Sequence, residues 1–308
     1  MSAAFSSWSA HALRRVEASL DAWVPADSPA GLGQAMRYGV LDGGKRLRAL
    51  LVLAAAEAAG ADRVNGGGEA AMRAACAMEM IHAYSLVHDD MPCMDNDVLR
   101  RGKPTVHVQF GQAQALLAGD ALQTLAFEVL TPDEPVDGQG VDGRLQARLC
   151  GLLARAAGQF GMAGGQAIDL ASVGMALDEA SLRDMHRRKT GALLLGSVQM
   201  GAACGGLSPD SVAWLALSDF GDAIGLAFQI VDDVLDATQA SDKLGKTAGK
   251  DADANKPTYV SLLGLERAQA ESAQLLTRAR QALVRSELGE NATAMLTALA
   301  ERIVHRDH

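Results

Sequence analysis

Two acidic clusters carry the clearest chemical potential in this chain of 308 residues: His88-Asp89-Asp90-Met91-Pro92-Cys93-Met94-Asp95-Asn96-Asp97 and, downstream, Gln229-Ile230-Val231-Asp232-Asp233-Val234-Leu235-Asp236. Each closes an apolar run, Glu69 to Val87 in the first case and a stretch from Phe220 in the second. Carboxylates crowded at the end of a buried segment repel one another and lose hydration, so they call for a counter-charge. A hard, oxygen-preferring cation such as Mg²⁺ is the natural one. In the second cluster Gln229, Asp232 and Asp236 fall on one face of a helix. In the first, Asp89 and Asp95 would point about 120° apart on an ideal helix. Pro92 cannot occupy a regular helix interior, so this segment must bulge or unwind, which can bring the two carboxylates back together. His82 and Ser85 lie on the Asp89 face of the preceding helix.

Cations accompany the acids. Arg100, Arg101 and Lys103 follow the first cluster at once, and Lys246 and Lys256 follow the second. Asp42-Gly43-Gly44-Lys45-Arg46-Leu47-Arg48 reads as a flexible entry into a helix, with Lys45 and Arg48 three apart as an anion clamp. Arg187-Arg188-Lys189-Thr190-Gly191-Ala192 places cations and a hydroxyl before an apolar segment. Each basic stretch alone is equally compatible with a solvated helix end or an ordinary surface loop, and a lone histidine such as His82 is more often structural than functional.

The elements that must hold these groups are helices. Aromatic residues make up 4% of the chain against 49% hydrophobic residues overall, with abundant Ala and Leu, a balance that favours helix over sheet. Gly60 to Gly68, Thr131 to Gly143 and Leu244 to Pro257 interrupt the helical periods. None reads as an interdomain linker, so residues 1–308 are expected to form one all-α domain of roughly ten helices. A net charge of −9 argues against a nucleic-acid partner. An acidic protein that binds phosphorylated ligands must instead use local basic clusters or recruit divalent cations. Cys76, Cys93, Cys150 and Cys204 include no CxxC pair, which argues against a disulfide framework or a thiolate zinc site. The opening MSAAFSSWSAHALRR lacks the pattern of a secretory signal, so a cytoplasmic location is expected. The charge-free stretch from Thr190 to Pro209 contains Ser197, Gln199 and five glycines, a close-packed internal helix more than a membrane span; no membrane insertion is expected.

In order, GGKRLR at 43–48, IHAYSLVHDD at 81–90, DDxxxxD at 89–95 with its LRRGKPT tail, AGDALQTLAF at 118–127, GGQAIDL at 164–170, KTGAL at 189–193, FQIVDDVLD at 228–236 and LGK at 244–246 resemble a bacterial-type farnesyl diphosphate synthase of the trans-prenyl (polyprenyl) diphosphate synthase family. The resemblance spans nearly the whole chain. It implies an isoprenoid-synthase-like antiparallel helical bundle around a central cavity, and a homodimer. It implies Mg²⁺ as cofactor, three ions in all: Asp89 and Asp95 hold two, Asp232 the third, and Asp90, Asp233 and Asp236 support them. Lys45, Arg48, His82 and Arg101 match the positions that bind isopentenyl diphosphate. Arg100, Lys189 and Lys246 match those that bind the allylic diphosphate, with Lys256 from the same loop. Lys189, Thr190 and Gln229 match catalytic groups that face a developing allylic cation. Tyr84, five residues before Asp89, matches the aromatic that closes the cavity at fifteen-carbon products.

The reaction so implied joins isopentenyl diphosphate to dimethylallyl or geranyl diphosphate, giving farnesyl diphosphate; geranyl or geranylgeranyl diphosphate is the alternative product. A metal-dependent phosphohydrolase would need more histidine ligands than the chain offers. A terpene cyclase would not need Lys45, Arg48, His82 and Arg101, and a non-catalytic partner subunit would have lost an Asp motif. Three positions depart from the family pattern: Ala49 where Pro is frequent, Asn96 where Asp is, and Val260 in place of the Pro of TYP.

Overall fold

Ala- and Leu-rich periods become helices almost everywhere in the computed structural model, which describes residues 2–133, 140–175, 177–238 and 258–306. Among the described residues, α1 (Ala3–Trp23), α2 (Leu32–Val40), α3 (Leu47–Ala58) and α4 (Gly67–Asp89) precede one short β-hairpin, β1 (Leu99–Arg100) and β2 (Lys103–Pro104). Then come α5 (Val106–Phe110), α6 (Gln112–Leu130), α7 (Gly143–Ala157), α8 (Met162–Ala171) and α9 (Glu179–His186). A π-helical turn, Arg187–Gly191, joins α9 to α10 (Ala192–Cys204), and α11 (Val212–Thr238), α12 (Tyr259–Leu263), α13 (Leu265–Arg285) and α14 (Glu290–Val304) complete the set. The expected break at 60–68 is there, and α6 ends at Leu130 and α7 starts at Gly143 on either side of the second, whose residues 134–139 lie outside the described residues; so does the break at 244–257, with Lys246 and Lys256.

Burial sorts the helices. Every residue of α3 from Arg48 to Ala56 is buried, as is almost all of α4 from Ala70 to Ile81 and of α10 from Leu193 to Cys204. A helix apolar all round belongs in a core. These three, with α6 and α11, pack on one another, and α1, α13 and α14 cover them with one buried face each. The hydrophobic cluster they share runs without interruption from Phe5 to Ile303. Helix α11 is long and apolar enough to cross a membrane by length and composition, yet 67% of its apolar 18-residue stretch is buried inside the protein, and it carries the second acidic cluster.

Close helix approach depends on missing side chains. A Cβ on Gly201 of α10 would lie 2.3 Å from the Val52 carbonyl oxygen of α3 and 2.9 Å from the Ala56 nitrogen. One on Gly165 of α8 would lie 2.1 Å from the Lys189 nitrogen, so α8 rests directly on the π-helical turn. The expectation that Lys45 and Arg48 share a helix face is corrected here: Arg46 takes a left-handed conformation (φ 44°) and α3 begins only at Leu47. Lys45 therefore lies before the helix, and helical spacing does not align it with Arg48.

Replacing Gly201 with Ala gains about 1 kcal/mol of helix propensity, but the clash is with backbone, and overpacking costs about 1–3 kcal/mol. Gly201→Ala should lower the urea midpoint with an unchanged m-value. Gly68→Ala, with nothing within 4 Å of its Cβ, should be neutral or slightly stabilising.

Candidate active site

One wall of the site starts where α4 ends. The helix stops at Asp89, and the following chain folds back: the Asp95 N–H donates to the Asp89 carbonyl (2.9 Å), Asn96 N–H to Met91 O (3.1 Å) and Asp97 N–H to Asp90 O (3.1 Å). The unwinding expected from Pro92 thus returns Asp95 to Asp89. Asn96 has φ 51°, a conformation that Asn tolerates better than most residues. Burial pushes the Asp89 carboxyl up to about 6; the Lys189 charge opposes this, and Asp95 and Asp90 add to it. Asp90 is engaged elsewhere, since its carboxylate accepts Arg100 Nε (3.0 and 2.9 Å) and Nη2 (2.6 Å).

Arg100 and Arg101 can diverge because of the hairpin between them. Arg101 (φ 52°) and Gly102 (φ 77°) form its two-residue turn, the pair of positive φ angles that suits strand twist. Arg100 turns back to Asp90, while Arg101 Nη1 donates to Gly43 O (2.7 Å). Gly44 permits that approach, since a Cβ there would sit 2.9 Å from Arg101 Nη1. The loop is pinned beneath by Arg46, which donates to Glu17 (2.7 and 3.2 Å) and to Val40 O (2.7 Å) and pairs with Glu79 at 3.6 Å. Glu79 also accepts the Ala49 N–H at 3.0 Å, a bond that Pro at this position could not donate.

Arg48 and Arg101 both lie near enough to His82 to act on its ring. Burial holds the His82 imidazole well below its ordinary pKa, with Arg48, Arg101, Arg100 and Arg46 acting in the same direction; it is a neutral ring among guanidinium groups. Lys45 stands apart, nearer the second wall. Burial lowers its pKa, Arg306 and Arg302 add to that, and Asp232 opposes it.

The second wall joins α8, the π-helical turn and α11. Such turns break the regular ladder and recur at functional sites. Here the turn presents Lys189, whose Nζ donates to Asp169 Oδ2 (2.5 Å), and Thr190, whose hydroxyl donates to Gln229 Oε1 (3.1 Å). Gln229 Nε2 donates to Asp233 Oδ1 (2.9 Å), and Asp233 Oδ2 accepts the Tyr259 N–H (2.7 Å). Asp232 Oδ1 accepts Arg306 Nη2 (3.0 Å), and Arg306 also lies 4.0 Å over the Phe228 ring. Lys189 acting on Asp89, and Asp232 on Lys45, link the walls.

Asp90 and Asp233, expected to support the metal ions, both face protein partners: Asp90 meets Arg100, and Asp233 lies between Gln229 and the Tyr259 N–H, because successive residues on a helix point about 100° apart. Among the described residues no group of three or more His, Cys, Asp or Glu forms a ready-made cage. Mg²⁺ keeps waters and substrate oxygens and takes only one or two protein carboxylates, so Asp89, Asp95 and Asp232, all hard oxygen donors, fit it. The destabilised Asp89 carboxylate, beside Asp95, is the observation that favours a cation there. Asp236 sits one helical turn after Asp232. Tyr84 is buried, its ring edge-on to His88 at 5.7 Å. His88 Nε2 is 3.0 Å from Leu116 O, and Gly119 leaves room for that ring.

Four contributors have no role that sequence reasoning assigns: Arg46, Glu79, Asp169 and Arg306. Asp169 lies inside GGQAIDL and was therefore within reach. Arg306 has no spacing relation to Asp232 and was not.

The sequence profile of the polyprenyl synthetase family matches residues 29–295. The farnesyl diphosphate synthase of Geobacillus stearothermophilus is 42% identical over 294 residues, covering 95% of each chain. The heterodimeric geranylgeranyl pyrophosphate synthase large subunit 1 of Arabidopsis thaliana is 45% identical over 296 residues, 95% of this chain and 77% of that one. An FPP/GFPP synthase from Zymomonas mobilis superimposes with a TM-score of 0.82 at 38% identity, covering 99% of this chain and 100% of that one. The Helicobacter pylori geranyltransferase, solved with magnesium and isoprenyl diphosphate, gives 0.81 at 32% identity, covering 99% and 97%. With the profile, the relatives and the helical architecture in agreement, the chain belongs to the polyprenyl synthetase family and is an all-helical prenyltransferase.

Proposed function

We propose that the protein condenses isopentenyl diphosphate with dimethylallyl and then geranyl diphosphate, and releases farnesyl diphosphate and inorganic diphosphate. The carrying observation is the pair of walls: an arginine-rich pocket around neutral His82 on one side, and Lys189, Thr190 and Gln229 opposite Asp89 on the other. Arg48, His82 and Arg101, with Lys45, hold isopentenyl diphosphate. Arg100 and Lys189, with Lys246 and Lys256, hold the allylic diphosphate.

As the allylic C–O bond lengthens, positive charge grows on carbon. Oxygen atoms already in place, Gln229 Oε1 and Thr190 Oγ1, stabilise it without reorganisation. The isopentenyl double bond then attacks that carbon, and the departing diphosphate takes the proton lost from the new chain. The chain therefore needs no separate general base. Mg²⁺ held by Asp89, Asp95 and Asp232, three ions in the family pattern, would supply charge neutralisation of the leaving diphosphate.

Farnesyl diphosphate is the favoured product because Tyr84, buried and braced by His88, sits one and a half turns before Asp89, and a braced ring resists displacement by a growing chain. The Geobacillus relative, matched over 95% of its length, is named for the same product. Geranylgeranyl diphosphate is the second reading, since several plant relatives at 42–45% identity are geranylgeranyl pyrophosphate synthases. A homodimer is supported by the apolar residues Val108, Leu116 and Leu117 exposed on α5 and α6. A cytoplasmic location is supported by four free cysteines.

Incubation with Mg²⁺, isopentenyl diphosphate and geranyl diphosphate should yield mainly fifteen-carbon product by mass; mainly twenty-carbon product would replace the farnesyl reading. Tyr84→Ala should shift products to twenty carbons and longer, and an unchanged length would place the stop elsewhere. Asp89→Ala should lower kcat by about a hundredfold or more with its helical circular dichroism intact, whereas Asp97→Ala should be mild. Sedimentation should give a dimer, and Leu117→Asp should favour the monomer.

A further inference from the structure

Asp233 is buried at 5% exposure, beside Asp232 in the second acidic cluster, yet both of its oxygens face protein donors. One donor, the Tyr259 N–H, belongs to the backbone of a fully buried residue and cannot turn away. The other is the side-chain amide of Gln229. An ionised carboxylate only accepts hydrogen bonds, so the amide must offer it the NH₂ group. That leaves Oε1 on the opposite side, where it accepts the Thr190 hydroxyl at 3.1 Å.

Resting on the prenyl-transfer reading above, we propose that Asp233 is a positioning residue and not a metal ligand: it fixes which end of the Gln229 amide meets the reacting carbon. With the amide turned over, the partial positive charge of NH₂ would face a developing carbocation, and an oxygen that stabilises the transition state would be lost. Geometry, shape and burial would be almost the same in either orientation. The carboxylate at 233 is what distinguishes them.

An isosteric exchange isolates the effect. In Asp233→Asn the amide oxygen must still meet the Tyr259 N–H, so the new NH₂ meets Gln229 and turns it over. Steady-state kinetics should show kcat lowered by about tenfold or more, with KM for both substrates within about twofold. Half-saturating Mg²⁺ should be unchanged, and the melting temperature should stay within about 4 °C of wild type because both hydrogen bonds persist in the turned pair. Gln229→Glu alone sets two carboxylates face to face and should also be slow. The double variant Asp233→Asn with Gln229→Glu restores a donor-acceptor match, an oxygen beside Thr190 and the original charge, so it should be faster than either single variant.

A raised Mg²⁺ requirement in Asp233→Asn would overturn the role, since that is the mark of a lost ligand. So would a double variant that recovers neither folding nor turnover beyond the single variants. A wild-type protein that forms no prenyl product would remove the parent reading itself. An active wild type with an unrescued pair would remove this role alone.

Discussion

Charge buried at the mouth of an apolar bundle has to be matched from another element, and the positions of those partners shape the site. Asp90 is matched by Arg100 across the hairpin, Lys189 by Asp169 across the α8 contact, and Asp232 by Arg306 from the end of α14. Arg46 is matched by Glu17 of α1 and Glu79 of α4. Each pair joins different segments of the chain. Removing Arg100 would leave the buried Asp90 carboxylate without its guanidinium, which costs far more than the pair itself contributes.

Backbone strain collects in the same places. Among the described residues, three of the five non-glycine residues with positive φ, Arg46, Asn96 and Arg101, lie in the loops that carry phosphate-binding or metal-binding candidates. Such conformations cost about 1–3 kcal/mol each and persist only where the surroundings over-determine them. Here the surroundings are identifiable. Arg46 is clamped by two glutamates and the Val40 carbonyl, and Arg101 by the Gly43 carbonyl. The π-helical turn under Lys189 and Thr190 is held by the backbone contact with Gly165. Rigid helices therefore deliver the reacting side chains through a few irregular junctions, each fixed by ion pairs or close packing.

Two family departures acquire a physical meaning in this setting. Ala49 keeps an N–H that bonds to buried Glu79, and Asn96 occupies a left-handed position that suits its short polar side chain. For Val260, at the start of α12, nothing in the structure explains the change.

Much of the site was legible in the chain because its signals are local. Helical composition, the breaks at 60–68 and 131–143, the unwinding at Pro92 and the ordered motifs all depend on neighbouring residues and on backbone rules that act over a few positions. What the sequence by itself determined was therefore a helical prenyltransferase with two acidic motifs and a set of cations. What only the tertiary structure decided was how those groups divide their work. Neither the turning of Asp90 to Arg100 nor that of Asp233 to Gln229 and Tyr259 follows from spacing. The separation of Lys45 from Arg48 hangs on a left-handed Arg46, and the pairing of Asp232 with Arg306 spans 74 positions. Side-chain orientation in a packed core is settled by whichever partner desolvation demands, and that partner is brought near by the fold, not by the sequence neighbourhood.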